Sequence, residues 1–323
     1  MKRNRIGTSG LWVSEICIGC MTFGEPARGG HAWTLPKDQS QPLIAQAVAA
    51  GVDFFDTANV YSDGSSEEIL GEVLWDLAPR DRIVLATKVQ GDADPYHQGL
   101  SRRAILRQVD LSLKRLKTDY VDLYQIHRFD PATPIAETMQ ALDDLIRWGK
   151  VRYIGASTMF AWQFAKMQQV ARENGWTPFI SMQNQINLIY REEEREMIPL
   201  CLDQGVGLIP WSPIARGRLA RPAGAVTART EADAYARMLY AATEAADRAV
   251  IDAVQAVAAE TERSMAQVAL AWARQKPGVA APIVGYSRPD QFADILAGLD
   301  LMLTPDQIAR LEAPYVPHAP VGH

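Results

Sequence analysis

Short apolar runs rich in β-branched residues alternate along the chain with longer segments whose apolar positions recur at helical spacing. The short runs predict strands, because strands buried on both faces of a parallel sheet are almost continuously hydrophobic. Eight strands are predicted, at residues 16–19, 52–55, 83–87, 121–126, 151–155, 179–182, 207–210 and 281–284. Eight strand–helix repeats in a chain of 323 residues are typical of a (β/α)8 TIM barrel.

The predicted helices begin and end at recognisable signals. A helix over residues 40–50 is expected to hold Pro42 in its first turn, and Ser65 is expected to cap the next helix. The charged run at 191–196 is interpreted as a solvated helix start whose acids face the positive end of the helix dipole. Further helices are predicted at residues 101–116, 135–148, 160–174, 247–259, 264–275, 289–299 and after 304.

Two segments lie outside this alternation. Residues 3–13 are predicted to form a hairpin that turns at residues 7–10. The segment 212–247 after the seventh strand is long for a connection in a compact domain, and such loops are usually functional. Because no linker interrupts the pattern, residues 1–323 are expected to be one domain. A doubly wound sheet is the second fold considered, but the GxGxxG motif of its dinucleotide-binding members is absent.

Composition adds mainly exclusions. The chain is 48% hydrophobic with a net charge of −5, so no basic footprint indicates a nucleic-acid partner. No apolar run is long enough to span a bilayer, and a cytoplasmic location is expected. Cys17 and Cys20 have CxxC spacing but lie in a predicted buried strand, so we expect core residues and no metal site. The sequence leaves the oligomeric state open.

Four chemically useful side chains fall at or just after the ends of consecutive predicted strands. Asp56, Lys88 and His127 end the second, third and fourth strands, and Tyr61 lies on the loop after Asp56. The carboxyl ends of barrel strands form one rim, where barrel enzymes hold their active sites. We therefore expect an acid, a phenol, an amine and an imidazole to meet there.

This combination fits the reduction of a carbonyl group. A free phenol titrates near 10, and an adjacent ammonium at Lys88 is expected to lower the pKa of Tyr61. Asp56 would hold Lys88 charged and oriented, and His127 would donate a hydrogen bond to the substrate carbonyl. Taken alone, Asp56, Tyr61 and His127 are more often a cap, a packed aromatic and a satisfied histidine. Lys88 is harder to dismiss, because a lysine at a strand end faces a largely buried rim. The joint placement carries the prediction. A barrel lyase with Lys88 as a Schiff-base amine remains an alternative.

The residues around these four positions resemble the aldo-keto reductases. The resemblance runs from the N-terminal hairpin to the last helix, in order and spacing. Its motifs are GVDFFDTA at 51–58 with Tyr61, ATK at 86–88, YVDL at 120–123 with His127, GKVRYIGAS at 149–157, SMQN at 181–184, PWSP at 210–213 and GYSRP at 285–289. Residues 19–24 and 190–196 are similar to a bacterial aryl-alcohol dehydrogenase-like branch, which also resembles the β-subunits of voltage-gated potassium channels.

The resemblance implies a barrel plugged at its lower end by the hairpin. It also implies an NADPH-dependent oxidoreductase that reduces aldehydes or ketones to alcohols reversibly, with Tyr61 as acid/base, Lys88 and Asp56 as its tuners and His127 as carbonyl orienter. The nicotinamide cofactor would bind without a Rossmann fold. A binding module that senses NADPH with little turnover is a third hypothesis, which the channel β-subunits suggest.

The resemblance further implies a cofactor site. Ser157, Asn184 or Gln183 would hold the carboxamide, with Gln183 the preferred candidate. Trp211 would stack on the nicotinamide, and Ser287 with Arg288 would bind the 2′-phosphate of NADP(H). The full implied set is Met21, Asp56, Ser157, Gln183, Trp211, Ser212, Pro213, Ile214, Arg216, Arg218, Gly285, Ser287, Arg288, Gln291 and Asp294.

Substrate contacts are expected on loops at the same rim. Aromatic candidates there are Trp33, Tyr96 and Phe129, with His97 beside them. Residues 217–247 are the expected lid over cofactor or substrate, and they include Arg221, Arg229 and Arg237. These arginines leave a phosphorylated or acidic small-molecule substrate open.

Overall fold

The computed structural model describes residues 1–29, 31–91, 95–225 and 233–321. Eight parallel strands form one sheet in the order β10, β3, β4, β5, β6, β7, β8, β9. They are β3 (Cys17–Gly19), β4 (Phe54–Asp56), β5 (Val84–Val89), β6 (Val121–Ile126), β7 (Val151–Ser157), β8 (Ser181–Gln183), β9 (Gly207–Leu208) and β10 (Ile283–Val284). A separate antiparallel hairpin pairs β1 (Arg3–Arg5) with β2 (Trp12–Ser14).

Backbone hydrogen bonds close the sheet into a barrel. The amide of Leu208 donates to the carbonyl of Gly278 at 2.9 Å, and the Leu208 carbonyl accepts from Ala280 N at 2.8 Å. Ile283 N, at the start of β10, donates to the carbonyl of Pro210 at 2.8 Å. The two ends of the strand order, β9 and β10, are thereby joined, which confirms the (β/α)8 barrel.

Helices surround the strands. They are α1 (Lys37–Ala49), α2 (Ser65–Leu77), α3 (Arg102–Leu116), α4 (Ile135–Arg147), α5 (Ala161–Glu173), α6 (Met197–Gln204), α7 (Ala234–Tyr240), α8 (Glu244–Thr261), α9 (Met265–Gln275), α10 (Pro289–Ala297) and α11 (Pro305–Glu312). The larger buried cluster lies between helices and strands, as Leu142 of α4 and Ile154 of β7 illustrate. Within the described residues, no helix combines the length and apolarity needed to cross a membrane.

The hairpin plugs one end of the barrel, as expected. Ile6, Leu11 and Val13 belong to a second buried cluster that includes Phe54 of β4 and Leu123 of β6. At the turn, Gly7 has φ +53° and its backbone is so close to Gly205 that an added Cβ would lie 2.2 Å from the Gly205 carbonyl oxygen. Only glycine fits such an approach without displacing the chain.

Two helix starts differ from the predictions. Helix α1 begins at Lys37, directly after Pro36, so Pro42 lies inside the helix instead of in its first turn. Helix α2 is preceded by Gly64, and no side chain caps it. Ser65 Oγ instead donates to the carbonyl of Ser62 at 2.8 Å and accepts from Glu25 N at 2.9 Å. The Ser65 hydroxyl is therefore used in hydrogen bonds to the preceding loops, and the local sequence pattern does not encode these contacts.

The prediction that the charged run at 191–196 is a solvated helix start is wrong. Helix α6 begins only at Met197, and residues 192–194 form a 3-10 turn. Arg191 binds Glu194 at 2.8 Å and Glu312 at 2.9 Å, which ties this turn to the end of α11. Glu193 is buried and accepts a hydrogen bond from Asn184 Nδ2 at 2.9 Å. These charged side chains are therefore stabilised by ion pairs and hydrogen bonds to other parts of the fold, and not by the helix dipole.

The buried hairpin cluster predicts a stability difference between two hairpin residues. Ile6→Ala should destabilise the fold by about 2–4 kcal/mol, because it removes a fully buried side chain and leaves a cavity. Trp12→Ala is the matched control, since Trp12 is 54% exposed on the same hairpin and should cost well under half as much. Urea unfolding of both variants measures the difference, and equal losses would show that the hairpin does not act as a packed plug.

Candidate active site

Parallel register brings the four predicted side chains to one rim. Asp56 is the last residue of β4, and Lys88 lies near the end of β5. His127 directly follows β6, and its amide donates to the carbonyl of Val89 at the end of β5 at 2.9 Å. Tyr61 lies on the loop between β4 and α2. The structure thus brings together all four residues that the strand-end pattern indicated.

Lys88 lies at the centre of the group and is fully buried. Its ammonium donates to Asp56 Oδ2 at 2.5 Å, to the Thr57 carbonyl at 2.9 Å and to Tyr61 Oη at 3.1 Å. An ammonium has three donors, so each one has a partner. Burial alone lowers the pKa of Lys88, but the Asp56 carboxylate and Tyr61 outweigh it and raise that pKa above its usual value. A Schiff-base amine needs the opposite shift, which disfavours the lyase alternative.

Asp56 is held from its other side by two glutamines. Its Oδ1 accepts from Gln125 Nε2 at 2.8 Å and from Gln183 Nε2 at 2.9 Å. Gln183 Nε2 also donates to Gln125 Oε1 at 3.0 Å. Sequence reasoning missed Gln125, although its signal was available: a glutamine within the apolar run of β6 is an interior polar residue that needs a partner.

Tyr61 and His127 lie edge to face, with ring centroids 5.7 Å apart. Burial lowers the pKa of His127 well below its usual 6.5, and the charges of Lys88 and Arg128 lower it further. The imidazole is therefore neutral at physiological pH. Its Nδ1 is buried and has no hydrogen-bond partner among the described residues.

The pKa of Tyr61 is raised, whereas the sequence predicted that it would be lowered. Burial of the phenol raises that pKa above 10, and Asp56 adds to the rise. Lys88 does act in the expected direction, both through its charge and through its hydrogen bond, but burial outweighs it. Tyr61 consequently holds its proton at neutral pH with a cation in contact that stabilises its anion.

A cavity of about 1130 Å³ opens beside these residues. Asp56, Tyr61 and His127 line it, and so do the residues expected at a cofactor, apart from Arg218. Those on its wall are Met21, Asp56, Ser157, Gln183, Trp211, Ser212, Pro213, Ile214, Arg216, Gly285, Ser287, Arg288, Gln291 and Asp294. Arg218 is not among the lining residues, and its guanidinium lies 5.7 Å from the centre of the Tyr240 ring.

The carboxamide candidates are oriented differently from one another. Ser157 Oγ donates to the backbone carbonyl of Gln183 at 2.9 Å, and both residues line the cavity. Asn184 is fully buried and is bound to Glu193, so it is absent from the cavity wall. The indole N–H of Trp211 donates to Thr158 Oγ1 at 3.0 Å, which fixes the ring at the cavity wall.

The loop after β9 has an unusual backbone. Ser212, Ala215 and Arg216 have positive φ of 52°, 48° and 54°, a conformation that costs energy for residues other than glycine and clusters at ligand-binding sites. Arg216 Nε donates to Asp233 Oδ2 at 2.8 Å, which joins this loop to the start of α7. The expected lid residue Arg229 lies outside the described residues.

The proposed 2′-phosphate residues lie around the start of α10. Arg288 is exposed and its Nη2 lies 3.0 Å from Asp290 Oδ2. Gln291 Oε1 accepts from the Ser287 amide at 2.9 Å. Asp294 accepts from Ser264 Oγ at 2.8 Å, so its carboxylate is held against α9.

The aromatic residues proposed for the substrate are not on the cavity wall. Trp33 stacks on His31 with ring centroids 5.0 Å apart, and the rings of Phe129 and Trp162 lie edge to face with centroids 6.2 Å apart. Tyr96 is 70% exposed. Residues that line the cavity and were missed include His31, Val60, Arg128, Tyr235 and Met238. Arg128 could have been found from its place beside His127. Tyr235 and Met238 lie on α7, within the segment 217–247 that was expected to be a lid, but no signal singled out these two residues.

The cysteines are packing residues. Cys17, Cys20 and Cys201 are buried and free. Burial raises the pKa of all three thiols, which removes the thiolate that redox chemistry or metal binding needs. Among the described residues, no group of three or more His, Cys, Asp or Glu side chains could hold a metal ion.

Comparison with known proteins agrees with this geometry. A model described as the aldo/keto reductase family matches residues 15–315. Versiconal hemiacetal acetate reductase of Aspergillus parasiticus is 48% identical, over 99% of this chain and 98% of its own length. A putative aryl-alcohol dehydrogenase of Schizosaccharomyces pombe is 42% identical over 97% and 95%, and one of Saccharomyces cerevisiae is 39% identical over 98% of both chains.

These relatives refine the expected branch. Two of them share the aryl-alcohol dehydrogenase name, as expected. All three are fungal, so they do not support the bacterial assignment of the branch. The relation to potassium-channel β-subunits stays a prediction.

The buried ion pair predicts a recoverable loss of stability. Lys88→Met should cost about 3–5 kcal/mol, because it leaves the Asp56 carboxylate charged and buried beside two amides. The double variant Asp56→Asn with Lys88→Met removes both charges and should regain most of that loss. Chemical denaturation of the two single variants and the double variant measures the coupling. Additive losses would show that the pair does not interact as its distance indicates.

Proposed function

The chain belongs to the aldo/keto reductase family, and on that premise we propose that it reduces an aldehyde or ketone to an alcohol, reversibly, with NADPH as hydride donor. The observation that carries the proposal is the Tyr61 hydroxyl, in contact with Lys88, at the wall of a cavity of about 1130 Å³. A dehydrogenation in the reverse direction uses the same groups.

The cavity wall fits a nicotinamide dinucleotide. Trp211 offers a fixed flat ring for the nicotinamide, and Ser157 with Gln183 offers polar atoms beside it. The left-handed backbone around Ser212 and Arg216 suits close contact with a pyrophosphate. When bound there, the reduced cofactor supplies the hydride that adds to the carbonyl carbon.

The protein groups supply the proton and orient the carbonyl. Tyr61 Oη gives its proton to the oxygen of the substrate as negative charge develops there. Lys88 at 3.1 Å stabilises the phenolate that results, and Asp56 keeps that ammonium charged. The neutral His127 beside Tyr61 donates a hydrogen bond to the same carbonyl oxygen and fixes its direction.

We propose NADPH rather than NADH because of the residues around the start of α10. Ser287 and Arg288 line the cavity just before the start of α10. A guanidinium and a hydroxyl suit a phosphate monoester, and Asp290 would have to exchange its contact with Arg288 for water. A single barrel domain and a cytoplasmic location complete the proposal.

A sensor of NADPH with little turnover is the second candidate. The fully hydrogen-bonded Lys88 and the protonated Tyr61 favour catalysis over this role. A screen of aromatic and aliphatic carbonyl compounds, followed by the loss of NADPH absorbance, tests the two against each other. Tight cofactor binding without turnover across that panel would favour the sensor.

Loss of the Tyr61 hydroxyl should abolish proton donation and leave the packing of the ring intact. We expect Tyr61→Phe to lower kcat by at least about 100-fold, with NADPH affinity changed less than about threefold. Tyr153→Phe is the control, since it deletes a hydroxyl elsewhere on β7. In the wild type, kcat/KM for reduction should fall only above pH 10 as Tyr61 loses its proton, without a limb near 6.5 from the neutral His127. Retained activity in Tyr61→Phe would remove Tyr61 from this role.

Removal of the Arg288 guanidinium should weaken the binding of NADPH more than the binding of NADH. We expect Arg288→Ala to raise the Kd for NADPH about tenfold and to leave the Kd for NADH nearly unchanged, because only NADPH carries the 2′-phosphate. Arg107→Ala, which deletes an exposed arginine of α3, is the matched control. Quenching of tryptophan fluorescence measures both constants, and an equal loss for the two cofactors would contradict the assignment.

A further inference from the structure

Arg128 directly follows His127 at the rim, and its side chain lines the cavity. Its Nη1 donates to the backbone carbonyl of His127 at 2.6 Å, and its Nη2 donates to Tyr235 Oη of α7 at 3.4 Å. A guanidinium has five N–H donors, so these two contacts leave donors available. Arg128 is therefore fixed in position beside His127, the residue predicted to bind the substrate carbonyl. It still has N–H donors available for a ligand.

The charge of Arg128 also differs from that of its neighbours. Lys88 is neutralised by Asp56, with 2.5 Å between the charged atoms. On the same cavity wall, Arg216 and Arg288 each form an ion pair with a carboxylate. Within the part of the chain that the structure describes, Arg128 forms no ion pair. A half-buried cation in a cavity, unpaired among the described residues, favours an anionic ligand.

The position of this charge indicates which ligand supplies the anion. The positive charge of Arg128 reaches both reacting groups, since it adds to the lowering of the His127 pKa by burial and Lys88 and partly opposes the rise in the Tyr61 pKa caused by burial. Arg128 follows β6, whereas the residues proposed for the cofactor phosphates follow β9 and β10. The cation thus lies at the carbonyl end of the cavity, close to the substrate and not to the cofactor phosphates.

We propose that Arg128 is a specificity-determining residue that binds a carboxylate on the substrate. The preferred substrate class is then aldehydes or ketones that carry a carboxylate near the carbonyl group. A guanidinium pairs with a carboxylate through two parallel hydrogen bonds, which would also fix the orientation of the carbonyl toward Tyr61 and His127. This inference rests on the proposed reductase function and narrows it to an acidic substrate.

Matched pairs of substrates test the inference. Reduction of 3- and 4-carboxybenzaldehyde is compared with reduction of their methyl esters, which have nearly the same shape and no charge. In the wild type we expect kcat/KM for at least one acid to exceed that of its ester by about tenfold or more. Arg128→Gln should abolish this preference by raising KM for the acid, and Arg128→Lys should retain part of it because a point charge remains.

Arg107→Gln is the control, since it removes the same charge from the exposed surface of α3 and should leave the preference intact. Equal losses for acid and ester in Arg128→Gln would show that Arg128 only holds α7 through Tyr235, and would overturn the inference. A wild-type kcat/KM that is equal for the esters and the acids would also overturn the inference. Failure to reduce any member of the series with either cofactor would instead refute the proposed reductase function.

Discussion

The buried ion pair between Lys88 and Asp56 is the constraint on which the rest of the site depends. Each charge loses several kcal/mol of hydration in the interior, and only complete hydrogen bonding offsets that loss. The surroundings supply it: all three ammonium donors of Lys88 have acceptors, and Asp56 accepts from Gln125 and Gln183 as well. The pair is therefore rigid, and the hydroxyl of Tyr61, which completes the set, is fixed with it.

Rigid placement and burial together give Tyr61 its chemistry. Burial alone would make the phenol a poorer acid, and it does raise the pKa. The cation that touches the hydroxyl favours the anion left after proton transfer, so its stabilisation grows during the reaction rather than before it. The same burial keeps His127 neutral, which leaves an imidazole able to donate a hydrogen bond without repelling the nearby ammonium.

Away from the ion pair, the cavity wall separates two kinds of positive charge. Arg216 and Arg288 are paired with carboxylates within the protein, and in the proposed function each exchanges that partner for a phosphate oxygen. Arg128 is fixed by a backbone carbonyl and by Tyr235 and keeps its charge uncompensated among the described residues. In the proposed function, this difference between exchangeable and uncompensated cations assigns separate regions to the cofactor and the substrate.

The sequence by itself determined the barrel, the hairpin and the four residues at the rim. Strand periodicity is local, and parallel register then places strand ends such as Asp56, Lys88 and His127 together without further information. Only the tertiary structure decided the hydrogen-bond partners of those residues and the direction in which the Tyr61 pKa shifts, because long-range hydrogen bonds and burial set them. It also decided that the wall holds Arg128 instead of Trp33, Tyr96 and Phe129, since loop conformation depends on packing that the local pattern does not encode.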